Sequence, residues 1–313
     1  MVAFDHLQSG LGRKDHFLER SLSWAGRRVG KDSFKLVSAV ARKLRSKGAE
    51  THLQLESDSI FAFPLGDNYW SKAVFLRHDY EPEIGNFLIA VRDVDYTFID
   101  CGANFGFWSV MASSKAYGNK QVLAIELDPD NFTVLARNAA LNGNRFAVLN
   151  RAVFSASGNT MQVFGGNHFA YTIAPDAHKV GQQRTVQIET IALDDAILAV
   201  SPPLKKMCII KLDVEGAEIE AVRGAQKMLK QGALVVFEDE KNDVEAGLSG
   251  KLMDEFGLAI YAIGEKDAPT LMHAISDVRE RKHTGSTNFV AIAKTSPWRN
   301  ILGDASRYTM KVN

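Results

Sequence analysis

From residue 95 onwards, short apolar runs alternate with longer segments of helical periodicity. The apolar runs predict buried strands at residues 96–99, 122–125, 146–149, 207–212 and 233–237. The periodic segments predict helices from about residue 106, over residues 131–141 and over residues 217–230. Strands that alternate with helices are typical of a parallel sheet with helices on both faces. Two later runs, residues 258–263 and 288–293, predict an antiparallel pair at its edge.

The chain before residue 95 follows a different pattern. Residues 31–47 are rich in lysine and arginine and carry apolar side chains at near-helical spacing, which predicts an amphipathic basic helix. We favour a helix that packs on the core with a solvated basic face; the alternative is contact with a membrane surface, an anionic acceptor or a partner. Residues 60–63 and 73–76 predict short strands. The apolar positions of the basic helix are Phe34, Leu36, Val37, Val40 and Leu44.

Length and pattern together predict one large α/β core with extensions. The predicted parts are a basic helical arm over residues 1–55, a small β-containing lead-in or lid over 56–94, the core over 95–295 and a tail over 296–313. Oligomeric state is left open.

Composition narrows the classes of partner. Lysine plus arginine equals aspartate plus glutamate at 37 each, so no overall field attracts nucleic acid, and we expect no nucleic-acid partner. Cys101 and Cys208 each lie in an apolar run, where free cysteine behaves as a small hydrophobic residue, so we expect no disulfide. We also expect a cytoplasmic location, because we find neither a signal-peptide pattern nor an apolar stretch of the roughly 20 residues that span a bilayer.

A glycine-containing loop over residues 100–106 follows the first predicted strand. Ligands of open parallel sheets bind beyond the carboxyl ends of the strands, where Gly102 and Gly106 leave room for a ligand or a sharp turn. The G-x-x-x-G spacing differs from the G-x-G-x-x-G of dinucleotide binders. Asp100 also suits the cationic amino-acid end of S-adenosylmethionine better than it suits a phosphate. Taken alone, the loop is weak evidence, and its structural alternative is a tight strand-to-helix turn.

An acidic residue marks the end of the second predicted strand. Glu126 is placed to accept hydrogen bonds from both hydroxyls of a ribose, as an acid does in dinucleotide folds. Leu127 is placed to cover one face of an adenine, and Asp128 is predicted to cap the next helix. Because the glycine loop and Glu126 have the spacing of one βαβ unit, the two features predict a single nucleoside site.

Carboxylates cluster after the fourth and fifth predicted strands. Asp213 and Glu215 follow one strand and Glu238 ends the other; these strands are expected to be neighbours, which predicts one shared cleft. One carboxylate would then act as general base toward a hydroxyl, or several would hold a divalent cation such as Mg²⁺. The structural alternative, preferred for Glu218 and Glu240, is that the acids cap helices and form ion pairs. The basic residues available for such pairs are Lys211, Arg223 and Lys241.

The remaining motifs favour no other chemistry. The histidines show no metal-ligand spacing, and His168 is more readily a loop residue than part of an acceptor pocket. Neither a G-x-S-x-G elbow nor a zinc-binding cysteine set occurs, which argues against a hydrolase or a zinc enzyme. Two rival classes remain: a nucleotide-dependent oxidoreductase, which the missing G-x-G-x-x-G disfavours, and a non-catalytic binding module.

With these residues in view, the chain resembles the FkbM family of S-adenosylmethionine-dependent methyltransferases over about residues 80–237. The resemblance implies a Rossmann-like class I methyltransferase fold, for which we expect a seven-stranded, mainly parallel sheet. It also implies O-methylation of a hydroxyl on a sugar, a glycan or a glycosylated small molecule. The segments that carry the resemblance are residues 80–83, 98–106, 151–153 and 210–218.

The resemblance assigns roles within this set. It implies that Glu81 is a lid residue near the cofactor and that Asp213 and Glu215 lie beside the transferred methyl group. For the general base we predict Asp213 first and Glu238 second. The loop and strand-end residues that the resemblance supports as cofactor contacts are Asp100, Gly102, Asn104, Gly106 and Glu126.

Overall fold

The computed structural model describes the chain in ten segments, and all structural statements below concern them. They are residues 5–6, 11–28, 30–77, 80–167, 170–172, 184–198, 207–239, 247–265, 267–283 and 287–308. The strands, in chain order, are β1 (Asp5–His6), β2 (Glu50–Glu56), β3 (Ser59–Pro64), β4 (Thr97–Cys101), β5 (Gln121–Glu126), β6 (Ala147–Asn150), β7 (Ala152–Val153), β8 (Thr160–Asn167), β9 (Ala170–Thr172), β10 (Arg184–Ile191), β11 (Cys208–Leu212), β12 (Leu234–Glu238), β13 (Ala259–Ala262), β14 (Thr270–Met272) and β15 (Asn288–Ile292).

The helices surround the sheets. They are α1 (Arg13–Arg28), α2 (Lys31–Leu44), α3 (Trp70–Lys72), α4 (Pro82–Ala90), α5 (Phe107–Ala112), α6 (Pro129–Leu141), α7 (Leu193–Ala196), α8 (Glu218–Arg223), α9 (Gln226–Lys230), α10 (Leu248–Asp254), α11 (Ile275–His283) and α12 (Trp298–Leu302). A π-helix at Ala73–Arg77 and 3₁₀ helices at Lys115–Tyr117 and Ala305–Arg307 complete the set.

A mainly parallel sheet forms the centre, with strand order β14-β13-β15-β12-β11-β4-β5-β6. The five strands from β12 to β6 are parallel to their neighbours, whereas β15, β13 and β14 pair antiparallel. The predicted α/β fold and the antiparallel edge pair, β13 with β15, are therefore confirmed. The sheet has eight strands rather than seven because β14 also pairs at the edge, and its three residues are too few to show a strand pattern.

The segment before the central sheet adds a three-stranded sheet, β1-β2-β3, helices α1 to α4 and the π-helix. The strand predicted at 60–63 is part of β3. The strand predicted at 73–76 is wrong, because this segment continues α3 as a π-helix. Asp67 lies just before α3, and its carboxylate accepts the backbone N–H groups of Tyr69 and Trp70 at 3.0 and 2.8 Å. A four-residue apolar run is compatible with a buried strand and with a buried helix. Here the hydrogen bonds that Asp67 accepts at the start of α3 favour the helix.

The predicted basic helix is present as α2, but its apolar residues do not all face the core. Phe34 is fully buried, whereas Leu36, Val40 and Leu44 are exposed. Helix α1 packs beside α2 and against the π-helix, and Gly26 permits that approach, since a Cβ there would lie 1.8 Å from the Phe75 carbonyl oxygen. Inner side chains of both helices belong to the same hydrophobic cluster as the central sheet.

The polar stretch after β6 forms a small sheet of its own, with order β7-β10-β8-β9. The sequence predicts no strands here, because the stretch lacks continuous apolar runs. His168 lies outside the described residues.

The helix predicted over residues 217–230 is two helices, α8 and α9, interrupted at Gly224. A Cβ at Gly224 would lie 2.3 Å from the Phe154 carbonyl oxygen, so close packing against a neighbouring segment accounts for the glycine at the break.

Two further expectations concern the whole chain. Cys101 and Cys208 are buried and free, which confirms that they form no disulfide. Among the described helices, none combines the length and apolar character that crossing a membrane requires.

Candidate functional site

A cleft of about 280 Å³ opens where β4, β5, β11 and β12 end. The carboxyl ends of these parallel strands share one edge of the sheet, which is where ligands bind in such folds. Eight of the ten residues predicted for the site line this cleft. The described lining residues are Tyr69, Tyr80, Glu81, Gly102, Asn104, Glu126, Leu127, Asn131, Asp213, Val214, Glu215 and Glu238.

The glycine loop after β4 is held between the ends of two neighbouring strands. The N–H groups of Gly102 and Ala103 donate to the Ile125 carbonyl oxygen at 2.9 and 3.0 Å, at the end of β5. On the other side, the Asp213 N–H donates to the Cys101 carbonyl oxygen at 3.0 Å. Gly102 has φ +76°, and a Cβ there would lie 1.8 Å from the Asp213 carbonyl oxygen. Glycine is therefore required to bring the loop against the acidic turn.

Glu126 connects the loop to the next helix. Its Oε2 accepts the Asn104 N–H and its Oε1 accepts the Asp128 N–H, both at 2.8 Å. Burial raises the pKa of Glu126 to about 7, although these N–H groups favour the charged form. Each carboxylate oxygen has a second lone pair, so the group can still accept a ligand hydroxyl. Asp128 caps α6 as predicted, accepting the N–H groups of Asp130 and Asn131.

Leu127 separates the polar cleft from a second, apolar pocket. The two cavities share Gly102, Leu127 and Val214 as walls. The second cavity holds only about 20 Å³, so it is not itself a base pocket. The chemistry of the cleft fits a nucleoside, because the apolar side chain of Leu127 adjoins a carboxylate that can accept ribose hydroxyls. The other described residues of the apolar pocket are Ile125, Arg151, Ala152, Val153, Phe154, Met161, Val163 and Ala217.

A buried lysine organises the acidic turn after β11. Lys211 Nζ lies 3.0 Å from Asp213 Oδ2, and the lysine side chain is 5% exposed while that of Asp213 is 39% exposed. Burial alone would lower the pKa of Lys211, but the carboxylates of Asp213 and Glu81 outweigh it and raise the pKa. The sequence pattern predicts for Lys211 only the role of an ion-pair partner. Its position among the carboxylates depends on the pairing of β11 with β4.

The turn itself is tight. Glu215 adopts a left-handed backbone conformation with φ +52°, followed by Gly216 at φ +99°. Glu218 accepts the Gly216 N–H at 3.0 Å, so the preferred structural role for Glu218 is confirmed. A non-glycine residue in this conformation is strained, and such strain concentrates at functional sites. Glu81 and Asn104 also line the cleft, and their backbones are left-handed as well, with φ +44° and +52°.

Two acidic residues at the end of β12 have different surroundings. Glu238 lines the cleft, and its Oε1 accepts the Thr287 hydroxyl at 3.0 Å. Asp239 points into the interior, where it pairs with Lys282 at 2.9 Å and accepts the Ser249 N–H at 3.0 Å. The prediction that β11 and β12 present their acids to one cleft therefore holds for Glu238, while Asp239 is structural. Glu240 lies outside the described residues.

Aromatic side chains form the remaining wall. Tyr69 and Tyr80 line the cleft and pack edge to face with ring centroids 6.1 Å apart. Burial raises the pKa of Glu81, Lys211 opposes that rise, and Trp108 donates its indole N–H to the Glu81 carboxylate. Neither tyrosine is among the site residues predicted from the sequence. Tyr69 lies in an irregular segment without a motif, so no signal marks it.

Asp100 and Gly106 are not among the lining residues. Asp100 is fully buried behind the loop, where it accepts the Ser109 hydroxyl at 2.6 Å, and burial raises its pKa while Lys211 lowers it. Gly106 has φ +86°, and a Cβ there would lie 2.4 Å from Leu135 Cδ1, so it allows the turn into α5. Their contacts with a cofactor stay predictions.

The charge of the cleft restricts what it can bind. Five carboxylates line it, against the single buried ammonium of Lys211 behind Asp213. Carboxylates accept hydrogen bonds from hydroxyls and attract cations, whereas they repel phosphates. No group of three or more His, Cys, Asp or Glu side chains within the described segments is arranged to hold a metal ion. The described residues therefore do not support the Mg²⁺ alternative.

Comparison with known proteins gives one family match and several distant relatives. The family model described as "Methyltransferase FkbM domain" matches residues 100–262, a little over half of the chain. "Hexuronic acid methyltransferase AglP" of Haloferax volcanii is 29% identical over 171 residues, which cover 55% of this chain and 65% of that protein. "Methyltransferase 1" of Beauveria bassiana is 26% identical over 238 residues, covering 66% of this chain and 89% of that protein.

Among solved structures, "Methyltransferase FkbM" from Methylobacillus flagellatus KT aligns with a TM-score of 0.38 and 14% identity. The alignment covers 89% of this chain and 59% of that one. At this TM-score the structural similarity adds nothing to the family match.

Proposed function

Since the chain belongs to the FkbM methyltransferase family, we propose that it transfers the methyl group of S-adenosylmethionine to a hydroxyl oxygen of a sugar-containing acceptor. The fold is the Rossmann-like class I methyltransferase fold, with eight strands instead of seven. The observation that carries the proposal is the cleft in which the glycine loop, Glu126 and the acidic turn meet.

The cofactor fits the charge and shape of this cleft. S-adenosylmethionine carries an activated methyl group on a sulfonium, a cationic amino group and no phosphate. We assign its ribose to Glu126 and its adenine to the part of the cleft that Leu127 lines. The five carboxylates disfavour the pyrophosphate of a dinucleotide, which supports a methyltransferase over a nucleotide-dependent oxidoreductase.

The chain's own residues supply the rest of the chemistry. Aligning a hydroxyl with an activated methyl group contributes up to roughly 7–11 kcal/mol, and removing the hydroxyl proton requires a base. Asp213 is our first candidate for that base, because its half-exposed carboxylate faces the cleft while the buried Lys211 holds it in place. Glu238, at the end of the neighbouring strand, is the second, and Glu215 contacts the acceptor.

A sugar is the acceptor class that we favour. Sugar hydroxyls are hydrogen-bond donors, and Glu81, Glu215 and Glu238 are acceptors in the same cleft. The relative from Haloferax volcanii, whose name describes a hexuronic acid methyltransferase, supports the same class.

The cofactor assignment is tested by calorimetric titration with S-adenosylhomocysteine. At pH 8, above the pKa of about 7 of Glu126, we expect the wild type to bind and Glu126→Ala to bind at least about tenfold more weakly, because hydrogen bonds to a charged group contribute about 1.5–3 kcal/mol. Glu280→Ala, an exposed glutamate on α11, is the matched control and should bind like the wild type. Absence of heat with the wild type, or tight binding of NAD instead, would refute the proposal.

The acceptor class is tested separately by transfer of a labelled methyl group. We expect label in hexuronic acid or neutral sugar acceptors, and the position of the methyl group in the product distinguishes ether from ester formation. Label in nucleic acid or in an amine but in no sugar would contradict the acceptor assignment while leaving the cofactor site intact.

A further inference from the structure

The outward faces of α1 and α2 carry large apolar side chains that the fold leaves uncovered. Phe17 and Trp24 of α1 are 69% and 57% exposed, and Leu36 of α2 is 68% exposed. Val40 and Leu44 continue the same face of α2 at four-residue spacing and are also about half exposed. We call these five residues the α1–α2 outer face. Single exposed apolar residues are ordinary, but a contiguous set marks an interaction surface.

This surface is continuous across the two helices. Their opposite faces are buried in the core through Leu22 and Ala25 of α1 and Phe34 of α2, so both outer faces point away from the same core. A groove between the helices joins them. Its described lining residues are Arg13, His16, Phe17, Arg20, Ser21 and Trp24 of α1 and Val37 of α2.

The surface is also strongly basic, although the whole chain is neutral. Residues 11–48 contain eleven lysines and arginines against three acidic residues, a net charge of +8 in a chain whose formal charge is zero. Two of those acids, Asp15 and Glu19, are buried on the inner side of α1. Arg13 and Arg20 alternate with the aromatic residues along the outer face of α1.

We infer that the α1–α2 outer face docks the protein on an anionic lipid bilayer surface. Aromatic and aliphatic side chains flanked by lysine and arginine suit the boundary between headgroups and acyl chains, where the apolar face is buried and the cations meet anionic lipids. A second copy of this chain would set one segment of net charge +8 against another, which repels. A nucleic acid would leave Leu36, Val40 and Leu44 without apolar contacts.

The chain contains its own reporter for this contact. Of its four tryptophans, Trp24 is exposed, whereas Trp70, Trp108 and Trp298 are each at most 3% exposed. Tryptophan fluorescence that shifts on binding therefore reports Trp24 unless the core unfolds.

The experiment mixes the full chain with vesicles of phosphatidylcholine alone or with 30–40% phosphatidylglycerol, roughly the anionic fraction that gives a strong surface potential. We expect flotation with the anionic vesicles, a blue shift of tryptophan emission, quenching by brominated lipid and loss of binding in high salt. Arg13→Glu with Arg20→Glu should weaken partitioning at least about tenfold, and Phe17→Ser with Leu36→Ser should abolish the blue shift.

Lys230→Glu with Lys251→Glu is the matched control, because it makes the same charge change at exposed positions on α9 and α10. It should bind vesicles like the wild type, and all variants should keep the wild-type circular dichroism and S-adenosylhomocysteine binding. The inference is overturned if the wild type does not float with anionic vesicles, or if the control loses as much binding as the patch variants. It is equally overturned if the blue shift occurs with increasing protein concentration or with DNA and not with vesicles.

Discussion

Two lysine–aspartate pairs lie behind neighbouring strands of the sheet, and they differ in exposure. After β11, Lys211 pairs with Asp213 at 3.0 Å, and the aspartate remains 39% exposed to the cleft. After β12, Asp239 pairs with Lys282 at 2.9 Å, and both side chains are at most 5% exposed. Both pairs place a carboxylate at a strand end beside a buried ammonium. Only the first leaves an oxygen accessible to a ligand.

The two aspartates differ in role because their surroundings differ. Asp239 also accepts the Ser249 N–H, so it ties β12 to α10 and α11. Asp213 instead lies in a turn that the Gly102 loop contacts directly, among carboxylates that line the cleft. We therefore expect changes at Asp213 to affect the reaction and changes at Asp239 to affect stability. Four predictions test this contrast.

The largest effect is expected from Asp213→Asn. Loss of a general base lowers kcat by about 10²–10⁴-fold, while the isosteric amide should keep the fold and S-adenosylhomocysteine binding. The measurement is kcat and kcat/KM of the variant and the wild type, with S-adenosylhomocysteine affinity as the check that the cofactor site is intact. If Asp213→Asn keeps the wild-type kcat and Glu238→Gln lowers kcat instead, Glu238 rather than Asp213 is the general base.

The second effect is on folding. Asp239→Asn leaves the Lys282 ammonium buried without its counter-charge, which should lower the free energy of unfolding by about 3–5 kcal/mol in urea titrations. The kcat of the folded fraction should change by less than about twofold, since Asp239 is not among the cleft residues.

A double variant separates charge from packing at this site. Asp239→Leu with Lys282→Met removes both charges at similar volume and should recover most of the lost stability. A double variant as unstable as Asp239→Asn would mean that the hydrogen bond to Ser249, rather than the ion pair, holds this region together.

The third prediction extends the comparison to a carboxylate held by backbone N–H groups instead of a lysine. The pKa of Glu126 is raised to about 7 from an ordinary 4.5, so folding favours its protonated form. The stability from this group is fully present below about pH 4.5 and is lost as the pH rises through 7. Between pH 5 and 8 the wild type should lose on the order of 2 kcal/mol relative to Glu126→Gln.

The measurement is urea unfolding of both proteins at several pH values. Because glutamine cannot satisfy both N–H donors, Glu126→Gln carries a constant penalty, and the pH-dependent part is the result of interest. Glu280→Gln, at an exposed position, should show no such slope. A slope of opposite sign would show that Glu126 is stabilised as the anion in the folded state.

The smallest effect is expected at a solvent-exposed ion pair. Arg223 pairs with Glu255 and with Glu220, and the side chains of Arg223 and Glu255 are nearly half exposed. Solvent screens such a pair, so Arg223→Ala should leave the midpoint of thermal unfolding unchanged within error. A clear decrease would mean that exposure is a poor guide to the importance of the other two pairs.

The alternation of strands and helices was predictable because continuous apolar runs and helical periodicity are local properties. β4, β5, β11 and β12 all lie within a residue or two of their predicted bounds. The π-helix at Ala73–Arg77 and the break at Gly224 were not predictable from local patterns. The π-helix depends on the hydrogen bonds that Asp67 accepts, and the break depends on contact with Phe154. The small sheet β7-β10-β8-β9 also escaped prediction, because its strands lack continuous apolar runs.

Most of the site was predictable for a similar reason. Gly102, Glu126 and Asp213 each follow a predictable strand, and parallel strands present their carboxyl ends at one edge. Tyr69 was not predictable, because it reaches the cleft from the turn between β3 and α3, which carries no recognisable motif. The burial of Asp100 behind the cleft also depends on packing, here against Ser109.

The sequence by itself determined the order of elements, the α/β class and the set of acids at the strand ends, because these follow from local patterns of polarity and from strand direction. Only the tertiary structure decided which acidic side chain faces the cleft and which is buried in the interior. That choice depends on partners distant in the chain, such as Lys282 for Asp239, and on close approaches such as Gly102 against Asp213. It also left the α1–α2 outer face exposed, because α2 buries Phe34 and turns Leu36 outward.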